Sequence, residues 1–225
     1  MQFPGASPWT PRRLPFIKDG VNHKEGAAMI AIIDSGGANI LSVAAAFGRL
    51  DAPVVFTRDA DAIRAAERVV LPGVGMARDA MARLNDYGLV DVIRGLTQPV
   101  LGICLGMQLL FERSEEGDTP ALGILSGTVG AFPARAGLPV PHMGWNNVSC
   151  KPDHPLTHGL AADEYFYFVH GYSAPVGADT IGTCTYGHDF TAIAARGNFM
   201  GCQFHPERSG AAGQRILRNF IGLPA

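Results

Sequence analysis

The sequence predicts an α/β domain: an open, twisted, mostly parallel sheet flanked by helices, with a second half that is richer in strands and more antiparallel. Three observations carry this. From Met29 to about Phe111, short apolar runs alternate with segments of helical spacing, as βαβ units do. Three of the apolar runs end in turns, at Asp34, at Pro72-Gly73 and at Cys104, which puts those turns on one rim of such a sheet, where sites form. From Thr128 onward the candidate strands follow one another closely, with helical spacing returning only at the end of the chain.

The elements run in order. Met29-Ile30-Ala31-Ile32-Ile33 is an unbroken apolar run, the pattern of a strand buried on both faces, and it stops at Asp34 and the Gly36-Gly37 turn. Asn39 to Leu50 places Ile40, Val43, Ala44 and Phe47 on one helical face. Val54-Val55-Phe56 is a strand and Asp59 to Ala66 a short helix. Arg68-Val69-Val70-Leu71 is a strand broken at Pro72-Gly73, and Met76 to Asn85 and Leu89 to Leu96 are helices. A strand then runs to Cys104, and a helix from there to about Phe111. Further strands are expected at Thr128–Phe132, Asn147–Cys150, Glu164–Val169, Ile181–Tyr186, Ala192–Arg196 and Met200–Phe204, with a closing helix over Gly210 to Ile221.

Residues 1–28 read differently. Pro4, Pro8, Pro11 and Pro15 break any helix, no apolar periodicity survives, and no apolar stretch of secretory length follows Arg12-Arg13. The expectation is a disordered extension, or translation from an upstream start codon with Met29 as the working start, ahead of one domain over 29–225.

A chain of 225 residues with 47% apolar content can bury a full core. Its net charge of −2 gives no footprint for nucleic acid or an anionic membrane, and no apolar run approaches the roughly 18 residues of a membrane span. Four widely spaced cysteines without a C-x-x-C pair argue against a disulfide framework and a zinc site, and suit the reducing cytoplasm.

The chemistry concentrates in two segments. In Gly102-Ile103-Cys104-Leu105-Gly106, a strand meets a helix at a cysteine flanked by glycines, the thiol version of a nucleophile elbow. Gly102 and Gly106 leave room where a Cβ would clash. A helix start there favours an anionic sulfur, and the Leu105 N–H is free of intrahelical partners and able to face an oxyanion. In Gln203-Phe204-His205-Pro206-Glu207, an extended chain would project His205 and Glu207 the same way, while Pro206 restricts the segment to a strand end or loop. Cys104, His205 and Glu207 together make a nucleophile, a general base and an orienting carboxylate.

These two segments resemble those of class I, triad-type glutamine amidotransferases. Leu71-Pro72-Gly73-Val74-Gly75, Pro141-His142-Met143-Gly144-Trp145-Asn146 and Tyr167-Phe168-Val169-His170-Gly171-Tyr172 narrow the resemblance to the glutaminase subunits of imidazole glycerol phosphate synthase, of histidine biosynthesis. It runs from about Met29 to the C-terminus. It implies a flavodoxin-like sheet and hydrolysis of glutamine to glutamate and ammonia without metal or organic cofactor. The ammonia would pass to a cyclase subunit of barrel fold in a heterodimer. It further implies a second oxyanion donor from Val74 or Gly75, glutamine contacts at Gln108, Gly73, Gly171 and Tyr172, and a partner interface at Asn39, His142, Met143, Trp145, Asn146 and Arg208. Departures from the family's usual residues are Ser35 for tyrosine, Ala38 for glycine, Gly171 for serine or threonine, and Arg208 for lysine. Two other readings remain: a glutaminase serving anthranilate or guanylate synthesis, and a non-catalytic scaffold on the same fold.

Other candidates read as structural. Cys150, Cys184 and Cys202 lack any elbow context. His170, ending an aromatic strand, is a structural or site-wall residue. Gln108 has a bland reading as a helix-surface glutamine and Trp145 one as a core residue. His154 and His158 have the i, i+4 spacing of metal ligands on a helix, but with no third ligand they read as solvent-facing.

Removing residues 1–28 should leave melting temperature, activity and partner binding unaltered. A truncated chain that melts several degrees lower would show that the extension packs on the domain.

Overall fold

The computed structural model describes residues 29–35, 40–133 and 137–225; the 1–28 extension and Asn39 lie outside the described residues. The first half builds β1 (Ile30–Ile33), α1 (Ile40–Gly48), β2 (Val54–Thr57), α2 (Ala60–Ala65), β3 (Arg68–Gly73), α3 (Ala77–Asp86), α4 (Val90–Arg94), β4 (Val100–Cys104) and α5 (Leu105–Gln108). The second builds β5 (Phe111–Ser114), β6 (Thr119–Pro120), β7 (Leu125–Ala131), β8 (His142–Cys150), β9 (Asp163–His170), β10 (Tyr172–Ser173), β11 (Thr180–Thr185), β12 (Asp189–Arg196), β13 (Phe199–Cys202) and α6 (Gly210–Ile221).

Nine strands form one sheet in the order β2-β1-β3-β4-β13-β12-β11-β8-β9. The pairings from β2 to β13 are parallel, and those from β13 outward to β9 are antiparallel. A smaller sheet, β10-β7-β5-β6, stands apart from it. The parallel region is buried on both faces. Ile30 and Ile32 of β1 join a core shared with Phe47 of α1 and Phe220 of α6. Ala31 and Ile33 face the opposite core, with Leu84 of α3 and Leu105 of α5. Period-2 side chains on a sheet covered from both sides give the continuous apolar runs seen in the sequence. Among the described residues, no helix is long and apolar enough to cross a membrane.

The expected helix from Cys104 to Phe111 stops at Gln108. The carbonyls that would continue it are taken by distant donors: Leu109 O accepts from Leu122 N, and Leu110 O from Ile124 N and Leu125 N. Phe111 then pairs with Leu125 in β5–β7, a strand the local pattern did not announce. Strand β8 begins five residues earlier than expected, at His142 rather than Asn147, because β9 pairs with it over its whole length.

Glycines govern how closely α5 sits on the sheet. A Cβ at Gly106 would lie 1.7 Å from Leu71 O, and one at Gly102 2.7 Å from Gly106 O. Both obstacles are backbone and cannot rotate away. Gly106→Ala should therefore destabilise the domain by at least about 3 kcal/mol in urea unfolding, the upper range for overpacking. A variant within about 0.5 kcal/mol of wild type, the ordinary scatter of surface substitutions, would show that α5 can move off β3.

Candidate active site

Cys104 ends β4 with φ 54 and ψ −111, a left-handed conformation that costs a non-glycine residue energy. That turn takes the side chain out of the strand's alternation and into a cleft of about 290 Å³. Gly73 of β3 is in register with Cys104, so the next turn along the chain, Val74-Gly75, lies beside the sulfur. Gly75 has φ +94, a conformation suited to glycine. Val74, Gly75 and Leu105 all line the cleft with Cys104, while Gly73 packs under the turn against Leu105 and Gly106. As the first residue of α5, Leu105 has no intrahelical acceptor for its N–H. The four-residue length of α5 corrects one expectation: so short a helix has little dipole to offer a thiolate.

His205 and Glu207 meet as expected but by another geometry. Pro206–Arg208 is a turn of 3-10 helix rather than extended chain, and within it the His205 Nδ1–H donates to Glu207 Oε1 at 2.8 Å. Both side chains are buried. The turn is clamped from outside. His205 N–H donates to Tyr167 O at 2.9 Å, and the Ser209 hydroxyl donates to His205 O at 2.7 Å while accepting from Tyr167 N–H at 3.0 Å. On the other side, Gly213 of α6 comes so near that a Cβ there would sit 2.0 Å from Pro206 O. Ser209 and Gly213 had no local signal; only the packing reveals them.

The other His205 nitrogen bonds Cys104. Burial would push the imidazole down, but the hydrogen bonds to Cys104 and Glu207 and their charges outweigh it and raise His205 to about 10. The site therefore holds His205 as the cation.

His142 and His170 show the opposite behaviour. His142 Nδ1 and His170 Nε2 are 3.0 Å apart, and His170 Nδ1–H donates to Tyr172 O at 2.8 Å. Burial lowers His142 to about 4 and His170 to about 3. The interface expectation for the His142 side chain is corrected: it is 3% exposed, stacked on Tyr186 and Phe168, because it occupies an inward position of β8. Asn146 shares that inward parity and donates from Nδ2 to Thr185 O at 3.0 Å. Met143 and Trp145 take the alternate positions and are 63% and 56% exposed, so the core reading of Trp145 is set aside. Arg208 is exposed.

The remaining expected residues fall as follows. Gln108, Gly171, Tyr172 and His170 line the cleft. Gln108 is 4% exposed rather than on the helix surface, with Nε2 donating to Tyr172 O at 3.0 Å and Gln203 Oε1 at 2.9 Å. Glu116, which no sequence motif singled out, also lines the cleft and accepts from Ala77 N–H at the start of α3. Its signal was faint, one of two adjacent glutamates in a turn. Ser35 is buried and donates to Pro72 O at 2.8 Å, bracing the strand end before the Val74-Gly75 turn. His158 is exposed, whereas His154 is half-buried because its Nδ1 accepts from Leu156 N–H and caps a 3-10 turn. All four cysteines are free, and Cys202 is fully buried.

These shifts fix a pH dependence. His205 is raised above its ordinary 6.5, so its stabilising effect is complete below 6.5 and is lost as pH rises through about 10. His142 and His170 are depressed, so their contribution is complete above 6.5 and is lost as pH falls toward 4 and 3. Ring NMR should show His205 protonated to about pH 10, with Glu207→Gln lowering that midpoint. A His205 midpoint near 6.5 in the folded wild type would refute the imidazolium.

Comparison with known proteins agrees with this architecture. Residues 31–223 match the family model described as glutamine amidotransferase class-I. A relative from Xanthomonas axonopodis pv. citri, the imidazole glycerol phosphate synthase subunit HisH, is 52% identical over 86% of this chain and 97% of its own. The subunit of that name from Shewanella loihica is 51% identical over 86% of this chain and 90% of its own. Among solved structures, a glutamine amidotransferase superposes with TM-score 0.67 at 18% identity, covering 86% of this chain and 99% of its own. A chain in the structure of PurLQS from Thermotoga maritima does so with TM-score 0.61 at 17% identity, covering 87% and 98%. A match over nearly the whole domain, and relatives half identical along nearly their whole length, make this chain a member of the class I glutamine amidotransferase family.

Proposed function

We propose that this chain hydrolyses glutamine to glutamate and ammonia, and passes the ammonia to a cyclase subunit that makes imidazole glycerol phosphate in histidine biosynthesis. The observation that carries the catalytic half is the meeting of Cys104 and His205 in one cleft bordered by Leu105 and the Val74-Gly75 turn, with Glu207 bonded to His205 behind it. The relatives' names supply the pathway. Four free thiols suit the reducing cytoplasm, where we place it.

The Cys104 thiolate attacks the side-chain amide carbon of glutamine. The oxyanion that forms is held by Leu105 N–H and an N–H of the Val74-Gly75 turn, each worth about 3–4 kcal/mol when well aimed. His205, already the cation, gives its Nε2 proton to the departing nitrogen, so ammonia leaves and a thioester remains. The neutral imidazole then takes a proton from water as the water adds to the thioester. The second oxyanion collapses to glutamate and returns the thiolate. Glu207 holds the imidazole's tautomer and balances its charge throughout.

Glutamine's other end needs an anion for its ammonium group and acceptors for its N–H donors. Glu116 brings a carboxylate to the cleft wall. Gln108 has committed its Nε2 to Tyr172 and Gln203, so it offers its Oε1. Gly171 and Tyr172 complete that wall.

Met143 and Trp145 present two large apolar groups on the outward side of β8, and Arg208 adds an exposed guanidinium, the residue types of a partner-binding surface. Ammonia released to water at neutral pH becomes ammonium and loses its nucleophilicity, so a docked cyclase is the reason to retain it.

Cys104→Ala should lower glutamine turnover by about 10³-fold or more while leaving folding and partner binding intact. Cys202→Ala should leave the rate nearly unchanged and cost stability. The separating measurement is glutamate production by the isolated chain, by its complex with the cyclase, and by the complex with the cyclase's nucleotide bound. The rate should be greatest in the last. Equal rates in all three would point to a free-standing glutaminase.

A further inference from the structure

Gln203 is fully buried beside the nucleophile, and the triad chemistry does not use it. Its Nε2 lies 3.8 Å from Cys104 Sγ, and its Oε1 accepts from Gln108 Nε2 at 2.9 Å. The direction of both amides is set by one fixed point. Tyr172 O is a backbone carbonyl and can only accept, so the Gln108 atom facing it at 3.0 Å must be Nε2. With that nitrogen also facing Gln203, the Gln203 atom opposite must be the acceptor Oε1. The remaining Gln203 group, an N–H, is then left pointing at the sulfur.

The sulfur's surroundings make this donor selective between protonation states. Cys104 Sγ also lies 3.8 Å from Val169 O. A thiol can donate its proton to that carbonyl, whereas a thiolate can only be repelled by it. Gln203 N–H does the reverse, because a thiolate is the stronger acceptor. In a buried site a fixed dipole of this kind acts without the reorganisation that water would need.

We propose that Gln203 is a further catalytic group: its Nε2–H donates to the Cys104 thiolate, and Gln108 and the Tyr172 carbonyl are the positioning groups that keep the donor, not the acceptor, turned toward the sulfur. The proposal rests on Cys104 being the nucleophile. It assigns Gln108 a second task, as the link between the substrate wall and the thiolate's donor. It also implies that Gln203→Glu, close in shape, is worse than a neutral replacement, since it sets a carboxylate against the sulfur.

The test is alkylation of Cys104 by iodoacetamide, followed by mass spectrometry of the Cys104 peptide, in wild type, Gln203→Leu and Gln203→Glu. A hydrogen bond to a charged group corresponds to about a ten- to hundred-fold rate effect. Both variants should react that much more slowly at neutral pH, Gln203→Glu most of all, and should regain the wild-type rate as pH is raised. A merely structural role would not give recovery with pH. Wild-type rates in both variants overturn the proposal. So that the answer does not depend on either variant folding, the side-chain amide of Gln203 is followed by ¹⁵N–¹H NMR in the wild type as Cys104 is alkylated. A Gln203 resonance that does not move also overturns it. Alkylation needs no glutamine. Failure of the wild type to hydrolyse glutamine would therefore refute the glutaminase function while leaving this result to stand or fall by itself.

Discussion

The site depends on one close approach, that of α5 to the sheet. Leu71 O occupies the space a side chain at Gly106 would need, and Gly106 in turn occupies the space above Gly102. Only with α5 pressed this far down does β4 have to turn so sharply that Cys104 takes φ 54. That same descent brings Leu105 beside the Val74-Gly75 turn, so the nucleophile and both sides of the oxyanion position share a single cause. The strain at Cys104 is offset by a core buried on both faces of the parallel strands, which leaves the backbone no room to relax.

The triad is then completed from the far end of the chain. β13 lies next to β4 in parallel register, so the residues leaving its end emerge beside Cys104. They enter a 3-10 turn held on three sides, by Tyr167 of β9, by the Ser209 hydroxyl and by α6 at Gly213. This rigidity matters because His205 must remain cationic while buried. Desolvation opposes the charge, and only partners fixed at hydrogen-bonding distance overcome it. Burial leaves His142 and His170 neutral, because their hydrogen-bond partners are each other and the neutral Tyr172 carbonyl. Three histidines in one region thus divide into one cation and two neutral rings according to whether acidic partners, here Cys104 and Glu207, are within reach.

Much of this was legible in the sequence, for physical reasons. A nucleophile elbow needs glycine on both sides of the cysteine, and the glycines are visible. His205 and Glu207 are close in the chain, so their pairing shows even though the 3-10 turn that achieves it does not. Period-2 alternation is weaker evidence in a strand of mixed composition. It therefore took the pairing of β8 with β9 to sort Met143 and Trp145 outward and His142 and Asn146 inward. The early end of α5 and the strand after it were illegible because distant donors at Leu122, Ile124 and Leu125 decide them. Glu116 was missed for the same reason, since it acts on Ala77; Ser209 and Gly213 were missed because they brace His205 and Pro206 through backbone oxygens of a turn whose shape the sequence does not show.

The division of the large sheet bears on how a partner could influence the chemistry. Its parallel strands carry Cys104 and the oxyanion turn, whereas its antiparallel edge carries the exposed Met143 and Trp145. The two regions are joined by the inward side chains of that edge. His142 of β8 bonds His170, His170 bonds Tyr172 O, and Tyr172 O is the acceptor that fixes Gln108 on the cleft wall. A protein seated on Met143 and Trp145 grips the strand whose opposite face begins this chain of contacts. Continuity alone does not make coupling; that requires two arrangements of the chain with different free energies. The neutral His142–His170 pair has a single direction in this arrangement: Tyr172 O only accepts, so His170 donates from Nδ1 and accepts at Nε2 from His142 Nδ1–H, and a second arrangement must break or move one of these bonds.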